Sequence, residues 1–179
     1  MSEYKRLQRT LVHQGKITTT YTDRMLLPNG READWDFIGH HGAAAMVAEN
    51  EEGKILMVTQ YRNALERYTL EIPAGGINPG ESMMSAAVRE VEEETGYQVE
   101  DVRHLVDIYT TVAFCNEKIG IYCGKATKKE KQCLDEDEFV EVRAYDLLEL
   151  LDMIQMGKIQ DSKTISGIFA YYNFIKTKE

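Results

Sequence analysis

The chain is poor in the residues that staple, rigidify or anchor a protein. Its 179 residues hold three prolines, one tryptophan and three cysteines. An odd number of cysteines, Cys115, Cys123 and Cys133, with no close pairing motif excludes a disulfide framework and predicts three reduced thiols. The four histidines, His13, His40, His41 and His104, show no metal-ligand spacing, which argues against zinc. No apolar run approaches the roughly 18 residues needed to span a membrane. The opening MSEYKRLQRT is polar and lacks the apolar core of a signal peptide. A cytoplasmic chain with no membrane partner is expected. Basic residues are also scarce, with 21 Lys and Arg against 30 Asp and Glu and a formal net charge of −9. That balance argues against a nucleic-acid partner, which would need a basic stripe. An anionic small molecule would need a bound cation to bridge it to so acidic a protein.

What is present is ordinary for a globular chain: 43% hydrophobic and 28% charged residues, with length for one cored domain and a small appendage. Residues 5–22 read as one or two strands, with alternation from Lys16 to Tyr21, and Leu27-Pro28-Asn29-Gly30 is a turn because Asn-Gly readily takes positive φ. Residues 1–38 therefore form a small antiparallel unit ahead of a main domain at 39–179. In that domain, Ala43–Ala48 and Ile55–Gln60 are strands flanking a polar turn, and Tyr68–Ile72 is a strand stopped by Pro73 and Gly75-Gly76. The spacing predicts a helix from Ser82 to Glu94, capped by Ser82, closed by Gly96 and burying Met84, Ala87, Val88 and Val91. Strands are expected at Gln98–Tyr109, Lys118–Ala126 and Phe139–Ala144, then helices at Tyr145–Met156 and Ser162–Lys176. Strands mixed with three helices predict an α/β or α+β sandwich.

The helix carries an arrangement that local propensity would not choose. Glu90, Glu93 and Glu94 stand at i, i+3 and i+4 and share one face. Three like charges repel there, and the helix C-terminus disfavours anions as well. A solvated acidic face is the plain reading. A divalent cation would offset both penalties, and oxygen ligands suit Mg2+ or Mn2+. Gly75-Gly76 and Pro79-Gly80 place exposed backbone just before the helix, and Arg89 lies one turn from Glu93.

These residues resemble the Nudix family. Its pattern is Gly, five residues, Glu, seven residues, then Arg-Glu-apolar-x-Glu-Glu-x-Gly-apolar. The chain supplies Gly75, Glu81, Arg89-Glu90-Val91, Glu93-Glu94 and Gly96-Tyr97 at these spacings, with Tyr97 in place of an aliphatic residue. The resemblance implies a loop–helix–loop inside an α/β/α sandwich with a mixed sheet. It implies Mg2+, with Mn2+ as a substitute, bound by Glu90, Glu93, Glu94 and the carbonyl of Ala74. Arg89 would hold a ligand glutamate, and Glu81 would brace the loop. Metals would join an anionic pyrophosphate to the acidic cleft and help deliver an activated water.

Beyond that motif, Gln60-Tyr61-Arg62, Leu70–Gly75 and Gly157–Thr164 resemble the ADP-ribose pyrophosphatase group. In that group an N-terminal strand unit is exchanged within a homodimer, so a homodimer is expected. Arg62 would clamp the diphosphate, or else be an ordinary surface arginine. Glu71 would meet ribose or metal, or else be a surface glutamate at a strand end. By position in the acidic loop Leu134–Glu138, Glu136 looks like the general base and Glu138 a metal ligand or the next base; a plain solvated loop is the alternative. Trp35 would stack on a purine from the partner subunit unless it is a core or interface residue, Tyr21 and Phe37 being the other aromatics available. One departure touches the sugar. The group's Ser-Pro-Gly ahead of a glutamate is here Thr111-Val112-Ala113, with the glutamate kept as Glu117 near the terminal ribose. The expectation is hydrolysis of a nucleoside diphosphate sugar, ADP-ribose first, to AMP and ribose 5-phosphate. Another sugar nucleotide such as GDP-mannose, or a silent nucleotide-sugar-binding module, are the alternatives.

Overall fold

A computed structural model of the chain describes residues 3–128, 131–134 and 139–177. Its elements divide into two compact units: residues 1–42 with 109–118, and residues 43–108 with 119–179.

In the first unit, β1 (Lys5–Gln14), β2 (Thr19–Leu26) and β3 (Glu32–Gly39) form an antiparallel sheet in the order β1-β2-β3. The predicted turn closes β2 to β3, with Gly30 at φ 81° and its N–H donated to the Leu27 carbonyl at 2.9 Å. Asp23 is buried in this sheet and takes both oxygens to Arg9, at 2.6 Å each, while the Arg9 guanidinium lies 3.8 Å from the Phe37 ring centroid. That contact holds the Asp23 carboxyl below its ordinary range. β1 is exposed along its whole length. The segment around Phe114 joins this unit by backbone pairing: Ile38 N–H donates to Phe114 at 2.6 Å and Asn116 N–H returns to Ile38 at 3.3 Å. Sequence period cannot signal such a distant pairing.

The second unit is built on a mixed sheet of seven strands. β4 (Ala43–Asn50) is central, parallel to β9 (Lys118–Lys128) and antiparallel to β5 (Ile55–Arg62) and to the three-residue β7 (Ala74–Gly76). β6 (Arg67–Glu71) and β10 (Val140–Tyr145) both pair with β5, and β8 (Tyr97–Tyr109) lies beyond β9. Alternation along β4 explains why its run is wholly apolar. Ala44, Met46 and Ala48 face α1 (Met83–Thr95), packing with Ala86, Ala87 and Val91. Ala45 and Val47 face the opposite layer, with Leu150 of α2 (Leu147–Gln155) and Ile168 and Tyr171 of α3 (Ser162–Lys176). A strand buried on both faces needs no polar positions. Helices on both faces of a mixed sheet are the expected α/β/α sandwich.

One expectation about α1 is corrected in part. Ala87 and Val91 are buried as expected, but Met84 is half exposed and Val88 only partly buried, while Ala86, Glu94 and Thr95 complete the buried face. The helix is turned slightly toward the side that carries Glu94. Among the described residues no helix is long and apolar enough to cross a membrane, and Cys115, Cys123 and Cys133 are free thiols.

Candidate active site

The site grows from the way α1 begins and ends. Ser82 caps it, its hydroxyl accepting the Ser85 N–H at 3.1 Å. Gly96 at φ 71° ends it, returning its N–H to Glu92 at 2.9 Å. The last carbonyls are then taken up by the final residue of β9 and by residues just after it. Cys133 N–H donates to Glu93 at 2.8 Å, Gln132 Nε2 to Glu94 at 2.6 Å and Lys128 Nζ to Thr95 at 2.9 Å. Three donors, one of them cationic, relieve the end of a helix that bears three glutamates.

Arg89 organises the carboxylates. Its guanidinium has five N–H donors, and five hydrogen bonds are made. Nε and Nη2 reach Glu81 at 3.0 and 3.1 Å, and Nη2 also reaches the Gly76 carbonyl at 2.8 Å. Nη1 bridges Glu90 at 2.7 Å and Glu93 at 2.8 Å. These contacts hold the Arg89 proton far above any working pH and depress the Glu81 carboxyl. Glu81 also accepts the Asn78 N–H at 3.0 Å, so one arginine ties the loop before the helix to the carboxylates on it.

The glutamates differ in exposure. Glu94 is 1% exposed and accepts the Ala74 N–H at 3.1 Å. Glu90 lies against the backbone of Gly75, where an added Cβ would stand 2.1 Å from its carboxyl carbon. Glu93 is the most open of the three. Glu90, Glu93, Glu94 and Ala74 are thus gathered where β7 meets α1. Among the described residues, no three His, Cys, Asp or Glu side chains converge on one point as they stand. The reason is visible in the contacts: the Arg89 guanidinium serves as the cation between Glu90 and Glu93, and Glu94 is turned to Ala74. Three carboxylates within one turn of each other, all oxygen donors, suit a hard divalent ion in the same place.

Beside them lies a second group of charges. Glu71 is 2% exposed, so it is not a surface residue. It takes Arg62 bidentately, Nε at 2.8 Å and Nη2 at 2.6 Å, together with Thr69 Oγ1 at 2.5 Å and the Lys163 ammonium. Although burial opposes ionisation, these cations bring the Glu71 carboxyl down to about 2. The Arg62 guanidinium is 40% exposed and feels the charges of Glu71, Asp161 and Glu94, which raise its pKa further. Asp161, Lys163 and Thr164 enter the sequence reading as part of the Gly157–Thr164 resemblance, with no site role, and Thr69 only within a strand. A signal existed: a lysine in the first turn of a helix opposes the macrodipole, as the glutamates at the end of α1 do.

The remaining candidates belong to the first unit or fall outside the described residues. Trp35 belongs to the first unit, is 47% exposed rather than in the core, and packs on Tyr4 with ring centroids 5.7 Å apart. With Met25, Phe37, Val112 and Phe114 it lines a hollow of about 400 Å³. Glu117, in the same unit, accepts the Thr110 hydroxyl at 2.8 Å and faces His40 Nδ1 at 3.5 Å. Glu136 and Glu138 lie outside the described residues.

Residues 39–166 match the model of the NUDIX domain. The chain is 37% identical over 168 residues to the ADP-ribose pyrophosphatase of Bacillus subtilis (strain 168), covering 93% of this chain and 91% of that one. It is 38% identical, over the same length and coverage, to the methanol dehydrogenase activator of Bacillus methanolicus. The crystal structure of an ADP compounds hydrolase shares the fold, with a TM-score of 0.86 across 98% of this chain and 96% of its own at 20% identity. Nudix hydrolases generally need divalent metal ions, which agrees with the donor set on α1. With the motif intact around Arg89 and relatives matched over nearly its whole length, the chain belongs to the Nudix family.

Proposed function

We propose that the chain hydrolyses the pyrophosphate bond of a nucleoside diphosphate sugar, with ADP-ribose as substrate and AMP and ribose 5-phosphate as products. The observation that carries this reading is the juxtaposition of Glu90, Glu93 and Glu94 with an arginine, Arg62, fixed on Glu71 and close enough to feel the charge of Glu94. An acidic helix alone would repel a diphosphate. A metal-binding helix beside a fixed guanidinium receives one. The likeness to the Bacillus subtilis ADP-ribose pyrophosphatase supports the choice of substrate.

Mg2+, with Mn2+ as a substitute, is the ion this oxygen donor set favours, and Glu90, Glu93, Glu94 and the Ala74 carbonyl would hold it. When bound, it neutralises the diphosphate and lowers the pKa of a bound water. The chain's own part is positional. Arg89 aims Glu90 and Glu93, Arg62 takes the diphosphate, and Glu71 acts through Arg62. Glu136 supplies the general base, with Glu138 as a metal ligand or the next candidate. Trp35 stacks on the purine, and Glu117 meets the terminal ribose. The exposed β1, bearing Leu7, Leu11 and Val12 at its surface, supports assembly as a homodimer, which sedimentation equilibrium would test. Three free thiols fit a reducing compartment, the cytoplasm.

A second reading, a different sugar nucleotide such as GDP-mannose, is favoured by one feature: Val112-Ala113 stands where the ADP-ribose group has Pro-Gly, and Val112 is 84% exposed. One experiment separates the two. Purified protein with Mg2+ or Mn2+ is offered ADP-ribose, GDP-mannose and dinucleotides, and products are identified by mass spectrometry. AMP and ribose 5-phosphate from ADP-ribose, at the highest kcat/KM, are expected. GMP from GDP-mannose at a higher value would favour the second reading, and no turnover with any substrate would refute hydrolysis.

A further inference from the structure

Lys163 is a buried charge that the reading above leaves without a task. It is 6% exposed and stands in the first turn of α3, so desolvation and the helix dipole both disfavour it. Two anions compensate. Its ammonium contacts Glu71 Oε2, and Asp161 Oδ2 lies 3.0 Å away. Asp161 in turn caps α3, accepting the Thr164 N–H at 2.9 Å and the Thr164 hydroxyl at 2.6 Å. That hydroxyl oxygen accepts the Ile72 N–H at 3.0 Å.

The placement decides where Arg62 points. Three carboxylates, Glu71, Asp161 and Glu94, act on its guanidinium, and Lys163 stands between the first two. With Lys163 present, Asp161 is neutralised and Glu71 is filled: two contacts from Arg62, one from Thr69 and one from Lys163. Without it, Glu71 loses a donor and Asp161 becomes a rival anion. No acceptor for Nη1 of Arg62 is found among the described residues, and the side chain is 40% exposed. That edge is the one available to an incoming anion.

We propose that Lys163 is a positioning residue for diphosphate binding: by fixing the Glu71 carboxylate in place and neutralising the rival Asp161 it keeps the Arg62 guanidinium on Glu71, leaving Nη1 to meet the substrate. This rests on the reading that Arg62 contacts the diphosphate. Asp161 does two jobs that one substitution separates, because asparagine also caps a helix but carries no charge. A Lys163→Met/Asp161→Asn pair therefore removes cation and rival together.

The test has two arms. In the substrate-free protein, the Arg62 Nε–H resonance is assigned by its loss in Arg62→Ala and followed by hydrogen exchange. It should be protected in the wild type, exchange roughly tenfold faster in Lys163→Met, and regain protection in Lys163→Met/Asp161→Asn. Undiminished protection in Lys163→Met, or none regained in the pair, overturns the proposal. If Lys163→Met does not fold, the pair carries the same comparison against Asp161→Asn alone: near-wild-type protection supports the lock, and protection lost in the pair overturns it. In the second arm, Lys163→Met should raise KM for ADP-ribose roughly tenfold with kcat changed less than about twofold, and the pair should restore it. A loss confined to kcat overturns the proposal. An Arg62→Ala enzyme with unchanged KM would instead refute the diphosphate contact itself, while the exchange arm, which uses no substrate, still decides the lock.

Discussion

Replacing Gly75 with alanine isolates one contact of the site. The backbone there is not left-handed, so alanine meets no torsional obstacle; the obstacle is Glu90. The new Cβ would lie 2.1 Å from the Glu90 carboxyl carbon and one of its oxygens, and 2.4 Å from the other. Ordinary contact begins near 3.4 Å, so the carboxylate must retreat by at least 1.3 Å. It is the end of a flexible side chain, so the fold adjusts. The cost is about 1 kcal/mol, or roughly 2–4 °C in Tm for a chain of this size, and is offset in part by the stiffer unfolded chain. The site cannot adjust so cheaply. Glu90 loses its place against the loop and its 2.7 Å contact with Arg89. A displacement of about 1 Å at a reacting centre costs on the order of a hundredfold in rate. We expect kcat/KM with ADP-ribose to fall roughly that far, with the Mg2+ concentration for half-maximal rate raised and Tm nearly unchanged. Gly76→Ala is the comparison, since nothing lies within 4 Å of its added methyl, and it should lose far less. Steady-state rates across a Mg2+ titration, with thermal melts alongside, read both. A Gly75→Ala enzyme with at least half the wild-type kcat/KM and the same metal requirement would refute the placement of Glu90.

Glu94→Gln keeps an acceptor for the Ala74 N–H and removes the charge, so it should melt within a few degrees of wild type yet lose Mg2+-induced stabilisation and at least roughly a hundredfold in rate; unchanged turnover would end the metal assignment. The Glu71 carboxyl, held at about 2 against an ordinary 4.5, contributes stability that is complete above about pH 5 and lost as the pH falls toward 2. Acid unfolding of Glu71→Gln, followed by circular dichroism, should lack that segment of the pH dependence, and an unchanged profile would count against the buried ion pair. Trp35→Ala should raise KM for ADP-ribose by roughly tenfold, as loss of an aromatic stack predicts, with little change in kcat; an unaltered KM would move the purine contact to Tyr21 or Phe37.

Much of this molecule is legible in its sequence, for identifiable reasons. The helix expected from Ser82 to Glu94 is found at Met83–Thr95 because its caps are local chemistry, a serine before it and a glycine after it. The strands at Ala43 and Ile55 are legible because strands buried on both faces must be apolar. What was not legible depends on distant contacts. The face α1 buries joins Ala86, Ala87 and Val91 to Glu94, which takes the Ala74 N–H, so Met84 misleads. The pairing of Ile38 with Phe114 leaves no periodic trace. Glu71 reads either as a ribose or metal contact or as a strand-end surface residue until Lys163, 92 positions later, is found against it.

That last separation has a consequence for how the enzyme comes into being. The Nudix motif is complete by Tyr97, yet the Ile72 N–H that leads into its loop and the Glu71 that seats Arg62 are both fastened by residues of α3. A partly made or C-terminally clipped chain would carry every glutamate of the motif and still hold its arginine loosely. Hydrolytic competence would then wait for α3 to dock, however complete the motif is before that. Contacts of this span also form late in folding. Activity recovered on refolding should therefore lag behind the return of helical signal, and α3 is the element whose docking closes that gap.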